Sequence, residues 1–128
     1  MPRTVLASDN APKAIGPYSP AIQIPQFIFT SGQIGLDPQT GELVSGGVEA
    51  ETRRALTNLS NLLEAAGSGL SKVIKTTVFL RDMGDFTKMN LIYAEFFPKD
   101  PPARSTVAAA ALPKGASVEI EAVAYTGD

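Results

Sequence analysis

The 128-residue chain contains no cysteine and no histidine. Without cysteine there is no disulfide, no thiolate nucleophile and no zinc–sulfur site. Without histidine the commonest general base and the commonest metal ligand are gone, and with them every Ser-His-Asp arrangement. A transition-metal site would need carboxylates alone, a poor donor set for zinc or copper, so no metal is expected. Proton transfer falls to Asp, Glu, Lys, Tyr, backbone or water. Positive charge is not in excess either. Eleven Lys and Arg stand against 13 Asp and Glu, a net charge of −2, which argues against a nucleic-acid partner that would want a basic stripe. No stretch approaches the ~20 apolar residues of a membrane span. The start, MPRTVLASDN, lacks the apolar segment of a secretory signal and is poor in Arg. These absences lead to the expectation of a soluble, cytoplasmic protein with no membrane partner.

What is present reads as one ordinary globular domain over residues 1–128. Hydrophobic residues make up 44 % and charged residues 19 %, enough to bury a core without staples. Residues 4–24 are broken by Pro12, Gly16, Pro17 and Pro20 and read as a loop with short extended pieces. Residues 27–35 (FIFTSGQIG) are rich in β-formers and predict a strand. Asp37–Gly41 predicts a turn, with a short returning strand at Leu43–Val44.

Apolar residues from Val48 to Ala66 recur at helical spacing and predict an amphipathic helix over 48–66 closed by Gly67. Residues 72–80 (KVIKTTVFL) predict a strand. Asp85 is a good N-cap for a second helix over 86–97, with Phe86, Met89, Tyr93, Phe96 and Phe97 on one face. Strands follow over 104–111 and 117–125. This order suits an α+β fold with two helices on one face of a single sheet. The small side chains of Ala108–Ala111 suit close packing of the other face against a second subunit.

Few residues announce chemistry. Arg104, in Pro-Pro-Ala-Arg-Ser, has no acidic neighbour in sequence. It is either a bidentate clamp for a carboxylate or a salt-bridged or snorkelling surface arginine, and spacing alone favours the latter. Glu119 and Glu121 alternate along the last strand. With an even loop before that strand, Arg104, Thr106, Glu119 and Glu121 would share a sheet face. A four-residue loop would pair Ala108 with Glu119 and leave Arg104 about 13 Å away along the strand. Spacing alone again favours the plainer reading, a polar outer face of an edge strand. Gly32, within Ser31-Gly32-Gln33, marks either a simple bulge or backbone exposed to a ligand. Tyr18 belongs to a rigid Gly-Pro-Tyr-Ser-Pro turn, where an aromatic ring most often covers core. Asn90 lies on the second helix, where a surface role is the commoner one. Gly46-Gly47 is not followed by Lys-Ser/Thr and is no phosphate loop.

Taken together, Ala14–Ser19 (AIGPYS), Thr30–Gly35 (TSGQIG), Val73–Val78 (VIKTTV), Pro102–Ser105 (PARS), Ala111–Gly115 (ALPKG) and Val118–Ala124 (VEIEAVA) resemble the reactive intermediate deaminase A (RidA/YjgF) family over nearly the whole chain, in order. The resemblance implies a chorismate-mutase-like fold and a homotrimer whose sheets form a central barrel, with three clefts between subunits. It implies cofactor-free hydrolysis of 2-iminobutanoate and 2-iminopropanoate. It carries site roles to Arg104, Glu119, Tyr18, Ser31 and Asn90, with Gly32 and Thr106 beside them as substrate-binding positions. Several family members carry Cys where this chain has Thr106, so a thiol mechanism is not open to it.

The chemistry of such a substrate agrees with the residues. A guanidinium holds a 2-imino acid's carboxylate by two parallel hydrogen bonds, which fixes the imine carbon relative to water. Glu119 then handles the water, while groups near Ser31 and Thr106 orient the imine. Acid–base catalysis of roughly 10²–10⁴-fold suffices for a substrate that already hydrolyses in water. The partners expected are small 2-imino and 2-keto acids. Two other readings remain. A non-enzymatic keto-acid-binding regulator would use the same clamp, and an RNA-cleaving translation inhibitor is disfavoured by the missing His and the negative charge.

Overall fold

The central helix forms where the apolar periodicity is strongest. In a computed structural model describing residues 2–127, helix α1 spans Gly47–Glu64. Gly46, at φ 118°, makes the left-handed entry that a side chain would resist. Leu56, Leu59, Leu62 and Leu63 are fully buried along one face, the i, i+3, i+4 stripe that 3.6 residues per turn requires. Gly67 turns the chain out at φ 77°, and the Ser68 N–H closes on the Leu63 carbonyl at 3.0 Å. Helix α2 spans Phe86–Phe96. Asp85 stands at its N-cap but makes no side-chain cap bond. Asp82 does the capping instead, for the preceding 3₁₀ turn, accepting from the Gly84 N–H at 2.8 Å.

Six strands form one mixed sheet: β1 (Thr4–Leu6), β2 (Ala21–Ile24), β3 (Phe27–Thr30), β4 (Val73–Leu80), β5 (Ala103–Ala108) and β6 (Val118–Tyr125), in spatial order β1-β2-β3-β6-β4-β5. The proline-broken N-terminal segment thus supplies two antiparallel edge-side strands, positions where proline is tolerated nearby. The strand expected over 27–35 ends at Thr30. Beyond it the chain leaves the ladder, and only Gln33 returns, exchanging two backbone hydrogen bonds with Ile120 at 2.8 and 2.9 Å. The turn after Asp37 forms as expected, with Gly41 at φ 73° and a bridge between Leu36 and Leu43.

The last two strands do not pair with each other. β5 lies parallel to β4 across the α2 crossover, and β6 inserts antiparallel between β3 and β4. Two consecutive strands joined by a short loop usually pair. Here β6, whose helix-facing Val118, Ile120, Ala122 and Ala124 are all buried, lies between β3 and β4, and β5, rich in small and polar residues, takes the edge.

Both helices pack on one face. Ile28, Val78, Leu80, Val118, Ile120, Ala122 and Ala124 point from the strands into a core with Leu56, Leu59, Met89 and Tyr93. Strand alternation sends Phe29, Phe79, Val107 and Val123 to the opposite face. Among the described residues no helix covers that face, and Phe29 and Val107 are each 46 % exposed.

Candidate functional site

The residues singled out in the sequence assemble into two half-sites. The first surrounds Glu119. This residue lies between Val118 and Ile120, both fully buried on the helix side, so its side chain emerges on the open face. It shares a cleft with Tyr18, Gly32, Gln33, Ile34 and Lys114. The carboxylate lies against Gly32, where a Cβ would stand 2.7 Å from its carboxyl carbon. Burial first, and the neighbouring Glu121 second, push the Glu119 carboxyl above its ordinary pKa. Among the described residues no cation pairs with it.

Hydrogen bonds hold the loops around Glu119. The Ser31 hydroxyl donates to the Ser19 carbonyl at 2.6 Å, and the Ser31 N–H to the Pro20 carbonyl at 2.8 Å. The Ser31 side chain therefore ties its own strand end to the Tyr18 turn. The Tyr18 hydroxyl accepts from the Ile15 N–H at 3.3 Å, while its ring is 50 % exposed at the rim.

Helix α1 anchors both segments from beneath. Asn58 is fully buried and donates to the carbonyls of Ile34 and Leu36 at 3.3 and 2.9 Å, and its own oxygen accepts from Arg54. The Glu51 carboxylate accepts from the Ser117 N–H at 2.7 Å, two residues before Glu119. Such buried polar groups hold backbone that would otherwise lack partners. Sequence reasoning singled out neither Asn58 nor Glu51. Their position beside the apolar stripe was the available signal.

The second half-site surrounds Arg104. Its residue pairs with Thr76 in the β4–β5 ladder. Thr76 is fully buried on the helix side, so Arg104 points toward α2. Its guanidinium carbon lies 4.7 Å from the Tyr93 ring centroid and 5.5 Å from that of Phe86. Asn90 lines the same cleft with Phe97, Pro101 and Pro102. Thr106 follows two residues along the same strand face. Among the described residues the Asn90 Oδ1 and Thr106 Oγ1 atoms are shielded from solvent without a hydrogen-bond partner, open acceptors of the kind that a ligand or water fills. Burial raises the Tyr93 phenol pKa, and its hydroxyl is bonded to the Thr76 hydroxyl at 2.7 Å.

The two half-sites lie on opposite faces of one sheet. Arg104 aligns with Thr76 and Ala122 on the helix side, whereas Glu119 aligns with Phe79 and Val107 on the open side. The shared face that an even loop would have given Arg104, Thr106, Glu119 and Glu121 does not exist, because β4 separates the two strands and the register alternates them. Within one chain Tyr18, Ser31, Gly32 and Glu119 come together, and so do Arg104 and Asn90. The two groups do not meet. The two named groups are opposite in charge, a carboxyl at Glu119 and a guanidinium at Arg104.

A small α+β domain with a mixed sheet, both helices on one face and two separate clefts on opposite faces of the sheet is the class that this geometry defines. The chain belongs to the Endoribonuclease L-PSP family, whose model matches residues 8–126; the RidA proteins it resembles fall among its relatives of the same fold. It is 52 % identical to a RutC family protein of Pyrococcus horikoshii, over 96 % of this chain and 98 % of that protein. It is 50 % identical to a human protein named 2-iminobutanoate/2-iminopropanoate deaminase, covering 98 % and 91 % of the two chains. Among solved structures, Escherichia coli TdcF with bound serine superposes with a TM-score of 0.92 at 39 % identity, over 97 % and 99 % of the chains.

Proposed function

We propose that the protein is a cofactor-free deaminase that hydrolyses 2-imino acids such as 2-iminobutanoate and 2-iminopropanoate to 2-keto acids and ammonia. The observation that carries this reading is the pair of complementary half-sites, one presenting an unpaired guanidinium and the other a carboxyl of raised pKa. The names of the mammalian relatives support the same substrates. The bound serine of TdcF supports a cleft sized for a small amino-acid-like molecule.

In this reading the clefts form between subunits. Arg104 of one copy meets Glu119 of the next, a head-to-tail contact that closes into a ring. We place three copies in that ring, with their open sheet faces, including Phe29, Val107 and Val123, packed around the axis. Such burial removes the apolar surface that no helix covers.

Arg104 holds the substrate carboxylate through two N–H bonds. Asn90 and Thr106 offer acceptors beside it, and Tyr18 walls the other side. Glu119, as carboxylate, takes a proton from water while the oxygen attacks C2 and the C=N electron pair moves to nitrogen. It returns that proton to nitrogen, giving a carbinolamine. Glu119 then takes the carbinolamine hydroxyl proton and delivers it to nitrogen as the C–N bond breaks, leaving the keto acid, ammonia and the starting carboxylate. A raised pKa suits a group that must both accept and return a proton near neutral pH. The Gly32 backbone gives the carboxylate its room. The net charge of −2 speaks against a phosphate-rich RNA substrate.

The test couples a threonine dehydratase, which generates 2-iminobutanoate, to semicarbazide, which traps free imine. The protein is expected to suppress semicarbazone formation, and Arg104→Ala to abolish that effect. Binding of 2-ketobutyrate without faster imine loss would make the protein a keto-acid sensor instead.

A further inference from the structure

The Arg104 guanidinium is held by rings rather than by a counter-charge. No described carboxylate pairs with it, the ion pair among the described residues being Arg53–Glu95, and no side-chain hydrogen bond restrains it. It lies over the rings of Tyr93 and Phe86 on α2. A cation over an aromatic face is attracted by the ring quadrupole, and the attraction uses no N–H group. All five donors of the guanidinium stay available. A carboxylate at the same place would orient the side chain as well, but would occupy the donors the substrate needs and lower the local positive charge.

The ring is fixed in turn. Tyr93 is only 6 % exposed, packs on Phe97 with ring centroids 4.7 Å apart, and shares a 2.7 Å hydrogen bond with the Thr76 hydroxyl. Thr76 is the residue opposite Arg104 in the β4–β5 ladder. The contacts therefore close a loop from the Arg104 backbone through Thr76 to the Tyr93 hydroxyl, and from the Tyr93 ring back to the Arg104 guanidinium. The strand that carries the cation also sets the distance of the ring that holds it.

We infer that Tyr93, with Phe86 on its flank, is a positioning residue of the carboxylate site, an aromatic shelf that pre-orients Arg104 while leaving its hydrogen-bonding capacity for the ligand. The inference rests on the reading of Arg104 as a carboxylate clamp. Preorganisation of this kind acts on ligand binding, since it removes the ordering cost of a long side chain, and touches the proton transfers at Glu119 little.

The experiment compares wild type, Tyr93→Leu, Tyr93→Phe and Phe86→Leu in imine turnover, in calorimetric binding of 2-ketobutyrate, and in the arginine Nε–Hε region of ¹⁵N NMR spectra, with Arg104→Lys identifying the Arg104 signal. Cation–π contacts correspond to about 2- to 30-fold in affinity. Tyr93→Leu is expected to raise KM and the ketobutyrate Kd within that range with kcat changed less than about twofold. Tyr93→Phe keeps the ring and recovers most of the affinity. Phe86 is less buried than Tyr93, so Phe86→Leu supplies the same comparison should Tyr93→Leu fail to fold. The Arg104 Hε signal is expected to be ring-current-shifted in wild type and Tyr93→Phe, and to move to the ordinary arginine position in Tyr93→Leu. Folded Leu variants with unchanged KM and Kd, or a fall in kcat alone, overturn the shelf, as does an unshifted Arg104 signal in wild type. If wild type shows no turnover, the deaminase reading fails by itself. The NMR shift and the Kd series still decide the shelf.

Discussion

The Glu119 carboxyl group occupies the space in which any side chain at residue 32 would begin. A Cβ built on Gly32 stands 2.7 Å from the carboxyl carbon, closer than van der Waals contact allows, and the backbone at Gly32 is not in the left-handed region. Gly32 is thus required by its neighbour rather than by its own torsions. Gly32→Ala is expected to leave the melting temperature nearly unchanged and to lower kcat by roughly tenfold to a hundredfold, the order of an acid–base contribution displaced from its place. Steady-state kinetics beside a thermal melt checks this, and an unchanged kcat would remove Glu119 from the chemistry.

The opposite-face placement of Arg104 and Glu119 predicts complementation. Arg104→Ala and Glu119→Gln are each expected to be inactive alone. Unfolded together in equal amounts and refolded, a ring with clefts between neighbours contains about one quarter wild-type clefts, since each half is intact with a chance of one half. Recovery of about a quarter of the wild-type rate is expected. No recovery, with mixed assembly verified by mass spectrometry, would place the whole site in one chain.

With Glu119 as the proposed base, activity is expected to depend on pH with a defined sign. The Glu119 pKa is raised; with the carboxylate as the proposed base, the rate is expected to fall as pH drops through a midpoint above the ordinary glutamate value near 4.3. Glu121 is the second cause of the rise, and Glu121→Gln is expected to move the midpoint downward. Stability follows the opposite course. The fold disfavours the charged form, so the contribution of Glu119 is greatest below the ordinary pKa and is lost as pH rises through the raised one. Glu119→Gln should therefore melt above wild type at neutral pH and level with it near pH 4. A rate profile for Glu121→Gln that coincides with wild type would contradict the assigned cause.

Asn58 offers a structural test from beneath the cleft. Truncation to Ala leaves the Ile34 and Leu36 carbonyls and the Arg54 donors without their buried partner. A loss of about 2–4 kcal/mol in urea unfolding is expected, at ~1–3 kcal/mol per unsatisfied buried group. The Gly32 loop should loosen with it, so kcat falls even where the variant remains folded. Unaltered stability would show that water replaces the amide.

The local grammar of the chain was legible in its residues. The leucine stripe of α1, the glycine-marked turns at Gly41 and Gly67, the β-branched run of β4 and the alternation of β6 all depend on neighbours a few positions away, and all formed within a few residues of their expected bounds. The short extended pieces expected in the N-terminal segment form strands, but their pairing was not legible, because each is only three or four residues long and owes its existence to the strand it pairs with. The pairing of β5 with β4 rather than β6 was equally out of reach, because strand partnership is a contest among distant segments for one place in the core. That partnership set which face each side chain took. It put Arg104 against α2 and Glu119 on the uncovered side, chose Tyr93 and Phe86 as the ring pair under the cation, and brought Gly32 to Glu119 across 87 positions of sequence. Residue types alone limited the available chemistry to arginine, lysine, carboxylates and tyrosine, with no histidine or cysteine. Where those groups stand relative to one another was decided by tertiary packing, since a one-residue change of register reverses the face of every side chain on a strand.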